Sequence, residues 1–194
     1  MFKFFRKLPW GITLILLFEW WRVIPHVLFY LLSPNRALIR EDLFSRWQSY
    51  CIIDKSNAVM SLMAVLLTER EFRNVFYMRI GRLSRLISWL LPPIQCMLGN
   101  CQNISGGLNL VYNFGTVING NSKICLNCTI QHGVTIGVAR GGCPVIGKNC
   151  YIGAGAILIG GIQIGENVKI GAGAVVNDNV PNGSVVVGPK AMTI

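Results

Sequence analysis

Hydrophobic positions follow two different rhythms along the chain. Between residues 118 and 176 branched aliphatics recur every six positions, at Ile118, Ile124, Ile130 and Ile136, then at Ile146, Ile152, Leu158, Ile164, Ile170 and Val176. A period of six fits neither the turn of an α-helix nor the two-residue alternation of an isolated strand. It predicts a solenoid: three short strands make one triangular coil, and each inward aliphatic stacks on its counterpart eighteen residues away. A coil buries its inner face only against its neighbours. Residues 96–194 are therefore expected to fold as one cooperative unit, a left-handed parallel β-helix, and the protein is read as mainly β.

Glycine follows the repeat position at Gly137, Gly147, Gly153, Gly165 and Gly171. It is expected there to permit the corner geometry and the close approach of the next coil. Ala154, Ala156, Ala172 and Ala174 are small for the same reason. The phase slips once, because Ile136 and Ile146 stand ten residues apart. The four extra residues lie within 137–145, a glycine-rich stretch that carries Arg140. An insertion in a regular solenoid reads as a loop on its working face.

The first 95 residues have no such repeat. Two apolar runs, Leu8–Phe18 and Val23–Leu32, are split by Glu19, Trp20, Trp21 and Arg22, and Pro25 interrupts the second. A spanning helix needs about 20 apolar residues in succession, so one clean span is not expected. The basic start (Lys3, Arg6, Lys7) has the look of a secretory leader, but the stretch ends in Ser33-Pro34-Asn35-Arg36 with no small-residue cleavage site. Paired tryptophans beside charged residues predict that residues 1–39 attach to the membrane interface. Residues 40–47 and 56–91 read as helical. In the second stretch Met60, Met63, Ala64, Leu67, Phe72, Val75, Phe76, Ile80, Leu83 and Ile87 recur at three- and four-residue steps, with Arg70, Arg73, Arg79, Arg82 and Arg85 on the other side. Pro92-Pro93 ends the region. Three segments result: a hydrophobic extension (1–39), an α-helical region (40–95) and the repeat domain (96–194).

Composition narrows the function classes. With 52% hydrophobic and 13% charged residues in 194, the chain has the apolar surface to fold. Its net charge of +10 is concentrated in front, since 13 of the 18 Lys and Arg precede residue 96. Those arginines come with no reading helix or stacking platform, which argues against a nucleic-acid partner. Seven cysteines, odd in number and irregular in spacing, do not form a disulfide framework. Cys125 and Cys128 make one C-x-x-C with no second pair, so no metal is expected. Reduced thiols in a cytoplasmic setting fit best.

Residues 115–137, 143–176 and 180–191 resemble the hexapeptide-repeat acyltransferases of the serine acetyltransferase branch, and most of all the colanic-acid-type exopolysaccharide O-acetyltransferases. Residues 40–47 and 71–82 look like that family's helical N-terminal region. The resemblance implies acetyl-CoA as donor, a hydroxyl acceptor, a homotrimer with sites between neighbouring subunits, and no metal.

Acetyl transfer to a hydroxyl needs a base for the hydroxyl proton and a donor for the oxyanion. Histidine suits the base, because its pKa lies near neutrality. The chain has two histidines. His132 lies two residues after Ile130 in a phrase that also holds a histidine in the exopolysaccharide relatives, so it is the candidate general base. The competing reading has it packing the corner or the trimer seam. His26 is read as packed or interfacial. In serine acetyltransferases an Asp-His pair aligns with Val111-Tyr112, and a second histidine aligns with Cys143. Tyr112 is then the candidate donor to the oxyanion or substrate, and no carboxylate is visible to orient His132. The resemblance places the pantetheine arm along Ala154, Gly155 and Ala172, and the nucleotide phosphates near Arg140, Lys169 and Lys190. Three functions stay open: O-acetylation of a sugar hydroxyl in surface-polysaccharide synthesis at the inner membrane face, serine O-acetylation, and a catalytically degenerate scaffold.

Overall fold

The structure is a computed structural model that describes residues 10–45 and 56–188, with side chains from residue 18 onward. Trp47, the basic start and Lys190 lie outside the described residues. Two compact units divide the chain, Met1–Ile94 and Gln95–Ile194.

The first unit is helical. Helix α1 (Trp10–Leu32) runs through Glu19, Arg22 and Pro25, the residues that split or interrupt its two apolar runs. Arg22 compensates locally: it pairs with Glu19 one turn back and donates from Nε to Leu90 O at 3.0 Å. The helix buries Val23, His26 and Tyr30, spaced for one face, and exposes Trp20, Trp21, Ile24, Leu28, Leu31 and Leu32. Helix α2 (Arg36–Ser45) follows, then α3 (Ala58–Thr68), whose first turn is capped by Asn57 Oδ1 accepting from Met60 N–H at 3.2 Å. At Glu69 the backbone turns extended, so the long helix expected over 56–91 becomes two, α3 and α4 (Arg70–Ile80). Gly81, at φ +75°, ends α4, and a 3-10 turn covers Gly81–Leu86.

Val23 and Tyr30 of α1, Ile39 and Leu43 of α2, and Leu62, Leu66, Phe72 and Phe76 of α3 and α4 share one core. Two details correct the helical reading. Arg73 and Arg79, assigned to a basic outer face, are buried. Arg79 Nε donates to Asp42 Oδ2 at 2.8 Å with both side chains out of solvent, and Arg73 donates to Leu66 O, Leu67 O and Pro92 O at 2.7, 3.0 and 3.1 Å. Periodicity assigned them outward because it cannot see carbonyls and a carboxylate arriving from other elements. Leu83, expected inside, is exposed because the chain has left α-helical geometry before it.

The second unit is the parallel β-helix of six-residue repeats that the period predicts. Among the described residues twelve short strands fall into three parallel sheets, in the orders β1-β4-β7-β10-β12, β11-β8-β5-β2 and β3-β6-β9. The first sheet holds β1 (Asn109–Leu110), β4 (Thr129–Ile130), β7 (Tyr151–Ile152), β10 (Lys169–Ile170) and β12 (Val185–Val186). The second holds β2 (Val117–Ile118), β5 (Thr135–Gly137), β8 (Ile157–Ile159) and β11 (Val175–Val176). The third holds β3 (Lys123–Ile124), β6 (Val145–Ile146) and β9 (Gln163–Ile164). The inward aliphatics pair as expected, Ile118 with Ile136, Ile146 with Ile164, Ile152 with Ile170 and Leu158 with Val176. The solenoid begins before the regular repeat, since Leu110 pairs with Ile130 and Ile104 bridges to Ile124.

The after-aliphatic glycines and the corner glycines turn out to be different residues. A Cβ on Gly147 would meet Gly165 C and O at 2.6 Å, and one on Gly153 would meet Ala172 N at 2.6 Å, so these positions are set by the approach of the next coil. The left-handed corner residues lie elsewhere in the repeat. Gly115, Gly133, Gly155 and Gly173 hold φ of +65° to +69° at one corner. Asn127, Asn149 and Asn167 hold +57° or +58° at another, where the short polar side chain of Asn tolerates this region.

Candidate active site

The corner between the first and second sheets carries most of the predicted site. His132 sits in the turn between β4 and β5 with its side chain exposed. Hydrogen bonds from each coil to the next fix what lies beside it. Gly133 N–H donates to Phe114 O at 3.0 Å, Gly155 N–H to His132 O at 2.9 Å and Gly173 N–H to Ala154 O at 2.8 Å. Phe114, His132, Ala154 and Ala172 therefore form one ladder up this corner. Neighbouring rungs stand about 4.8 Å apart, the spacing of adjacent strands. Gly155 and Gly173 are exposed, and a Cβ on either would meet nothing within 4 Å. The ladder is thus open above His132.

Tyr112 belongs to the same corner, one coil before His132. Leu110 and Ile118 are eight residues apart where later coils use six, and the two extra residues are Tyr112 and Asn113. Asn113 is buried, with Nδ2 3.6 Å from Cys96 Sγ, while Tyr112, at φ +49°, is 67% exposed. Phe114 is 65% exposed. The six-residue period alone does not single out Phe114. Its signal was the eight-residue step, which shifts the ladder so that Phe114 and not Tyr112 falls in line with His132.

No hydrogen bond among the described residues involves the His132 ring, so nothing described orients it. The hydrogen bonds among the described residues likewise leave the N–H groups of Ala154 and Ala172 unused. Ala172 N lies against the preceding coil, 2.6 Å from where a Cβ on Gly153 would stand.

The basic candidates are spread out. Lys169 lies on the outer side of β10, exposed. Arg140 lies one corner further on, in the inserted loop, which folds as a tight hairpin: Ala139 and Gly142 exchange two backbone hydrogen bonds of 3.1 and 3.0 Å, and Gly141 takes φ +80°. Cys143 closes that hairpin and its Sγ lies 3.4 Å from Asn119 Oδ1. The two C-x-x-C thiols do not converge, since Cys125 is exposed and Cys128 points into the core, where its hydrogen bond with Cys150 and burial push its thiol up. A separate groove of about 520 Å³, on the third sheet and lined by Gly147, Gly165 and Asn179–Asn182, includes none of the predicted site residues.

A parallel solenoid of six-residue repeats defines the hexapeptide class of proteins. Comparison with known proteins agrees. Residues 143–178 match the family described as bacterial transferase hexapeptide (six repeats). A serine acetyltransferase of Helicobacter pylori is 43% identical over 140 residues, 70% of this chain and 80% of that protein. WcaB of Escherichia coli K12, named for acetyl transfer in colanic acid biosynthesis, is 46% identical over 84 residues, 41% of this chain. The match spans about half of that relative's length, 51%. The crystal structure of Neisseria gonorrhoeae serine acetyltransferase with serine superposes with a TM-score of 0.57 at 31% identity, covering 81% of this chain and 68% of that one. That of the Brucella abortus serine acetyltransferase with coenzyme A gives 0.59 at 26% identity, over 84% and 69%. The chain belongs to the hexapeptide-repeat transferase family.

Proposed function

We propose that the protein is an acetyl-CoA-dependent O-acetyltransferase that acetylates a sugar hydroxyl in surface-polysaccharide assembly, with His132 as general base. The observation that carries this reading is the ladder at the first corner: exposed His132 is followed, rung by rung, by Ala154 and Ala172. His132 takes the acceptor proton as the hydroxyl oxygen attacks the thioester carbonyl. Tyr112, exposed at the same corner, donates to the oxyanion that develops. Collapse expels the CoA thiolate, which the imidazolium protonates, so the base returns neutral. Ala154, Gly155 and Ala172 hold the pantetheine arm through backbone groups, and Arg140, Lys169 and Lys190 are the cations for the nucleotide phosphates. The Brucella relative's complex with coenzyme A supports this donor.

A sugar acceptor draws on the naming of the Escherichia coli relative and on Tyr112 and Cys143, which the resemblance aligns with histidines of the serine acetyltransferases. Serine O-acetylation is the second reading, favoured by the longer match to the Helicobacter pylori protein. The working assembly is a homotrimer with the corner facing a neighbouring subunit. It docks at the inner face of the cell membrane through α1, whose outer face bears exposed Trp20 and Trp21.

Transfer of labelled acetyl from acetyl-CoA by the detergent-solubilised protein tests this. Label is expected on lipid-linked host glycan, with a loss of about 10²–10⁴-fold in the His132→Ala protein. Label on L-serine instead moves the protein to the second reading, and transfer that survives His132→Ala removes His132 as base.

A further inference from the structure

Phe114 occupies a rung of a ladder that continues with His132 and then with two alanines. On the corner ladder Ala154 and Ala172 are the rungs beyond His132, and Phe114 is the rung below it. Its ring is 65% exposed, and Tyr112, two residues earlier, is 67% exposed. Burying a phenylalanine contributes about 1.5–3 kcal/mol to a fold, and within the single chain that contribution is largely forgone. The chain also builds a device to hold the ring there. The two-residue bulge is pinned by buried Asn113, by Thr116 N–H donating to Asn113 O at 3.2 Å, and by Thr116 Oγ1 donating to Gln131 O at 3.2 Å. Tyr112 sits within it at φ +49°, a conformation costly for a residue with a bulky side chain.

We infer that Phe114, flanked by Tyr112, is the acceptor platform, and that the ligand it takes is a pyranose ring. The inference rests on the reading of this corner as an O-acetyltransferase site. A pyranose has a face of C–H groups and a rim of hydroxyls. An aromatic ring takes the C–H face, by dispersion and by the attraction of its negative π-surface for C–H hydrogens. The hydroxyl rim then projects past the ring edge. The backbone of His132, whose imidazole needs such a hydroxyl, lies one rung along, about 4.8 Å away. L-Serine has no apolar face to lay on the ring and would gain little from it.

The test uses the full-length protein and methyl β-D-galactopyranoside, methyl β-D-glucopyranoside and L-serine as probes. Saturation-transfer NMR reads contact, calorimetry reads coenzyme A affinity, and sedimentation reads oligomer mass. In the wild type, saturation is expected on the ring C–H protons of a glycoside and absent from serine. Phe114→Ala is expected to lose about tenfold in that signal with coenzyme A affinity and mass unchanged, while Phe114→Trp keeps it. His132→Ala is expected to keep it as well, which separates the platform from the base. Equal saturation in the wild type and Phe114→Ala, or contact with neither glycoside, overturns the platform. So does a changed mass in Phe114→Ala, because the ring would then belong to the seam between copies. If Phe114→Ala loses sugar contact yet acetyl transfer survives His132→Ala, the platform stands and the assignment of the base falls.

Discussion

The most consequential single residues of the helical unit are charged or titratable groups held inside it. Arg79 and Asp42 meet with both side chains out of solvent. A buried pair of this kind adds little net stability, yet removing one partner strands the other charge at a cost of about 3–5 kcal/mol. Asp42→Ala is therefore expected to destabilise the helical unit by that amount, and Asp42→Ala combined with Arg79→Met by much less. All five tryptophans precede residue 96, so urea unfolding followed by tryptophan fluorescence reports on this unit. His26 gives a pH dependence. It is fully buried, with Nδ1 3.0 Å from Arg22 O and Nε2 2.8 Å from the Tyr77 hydroxyl. Burial pushes it down to about 4, against the opposing backbone hydrogen bond to Arg22. Unfolded, the imidazole takes a proton near its ordinary 6.5, so between pH 6.5 and 4 the unfolded chain binds the extra proton. Stability is then full above about pH 6.5 and lost as pH falls toward 4, by about 3 kcal/mol over the window. The same fluorescence midpoints should fall over that range in the wild type and stay flatter in His26→Gln.

At the scale of the repeat, two kinds of special backbone position look alike in sequence and differ in cause. Gly147 is required by the backbone of the next coil, 2.6 Å from where its Cβ would be. Gly183 is required only by its φ of +70°, with nothing within 4 Å. It continues the corner where Asn127, Asn149 and Asn167 take the same conformation. Gly183→Asn is accordingly expected to leave solenoid stability within about 0.5 kcal/mol, and Gly147→Asn to cost about 2 kcal/mol or more through overpacking. Thermal unfolding by far-UV circular dichroism separates them. This distinction also shows what the sequence could yield. The inward ladder of Ile118 to Val176 was legible because burial acts on every sixth residue alike, and the loop at 137–145 was legible as its one interruption. The first coil was harder: Leu110 and Ile104 do their work out of phase, and the bulge that carries Tyr112 hides that Phe114 lies beside His132. In the helical unit the pattern located the core, but Arg73 and Arg79 were read outward. Their partners, Leu66 O, Leu67 O, Pro92 O and Asp42, come from other elements, and no local period records that.

On the scale of the molecule, the open question is what covers the outer face of α1. Along one side the helix exposes Trp20, Trp21, Ile24, Leu28, Leu31 and Leu32, a contiguous apolar stripe of the kind that marks a contact surface. Among the described residues no helix is long and apolar enough to cross a membrane. The tether of Arg22 to Leu90 O brings Trp89, also exposed, toward the same helix. Tryptophans with an indole N–H at the rim of an apolar stripe suit the headgroup layer, and exposed Arg82 and Arg85 in the same unit suit anionic lipid. The protein is expected to float with vesicles of 30% anionic lipid and less with neutral ones. Trp20→Ser with Trp21→Ser should weaken flotation about tenfold while thermal stability holds, because neither ring contributes to the core. If the wild type stays with the soluble fraction and the same double substitution instead lowers its sedimenting mass, the stripe is a seam between copies and membrane attachment through α1 is wrong.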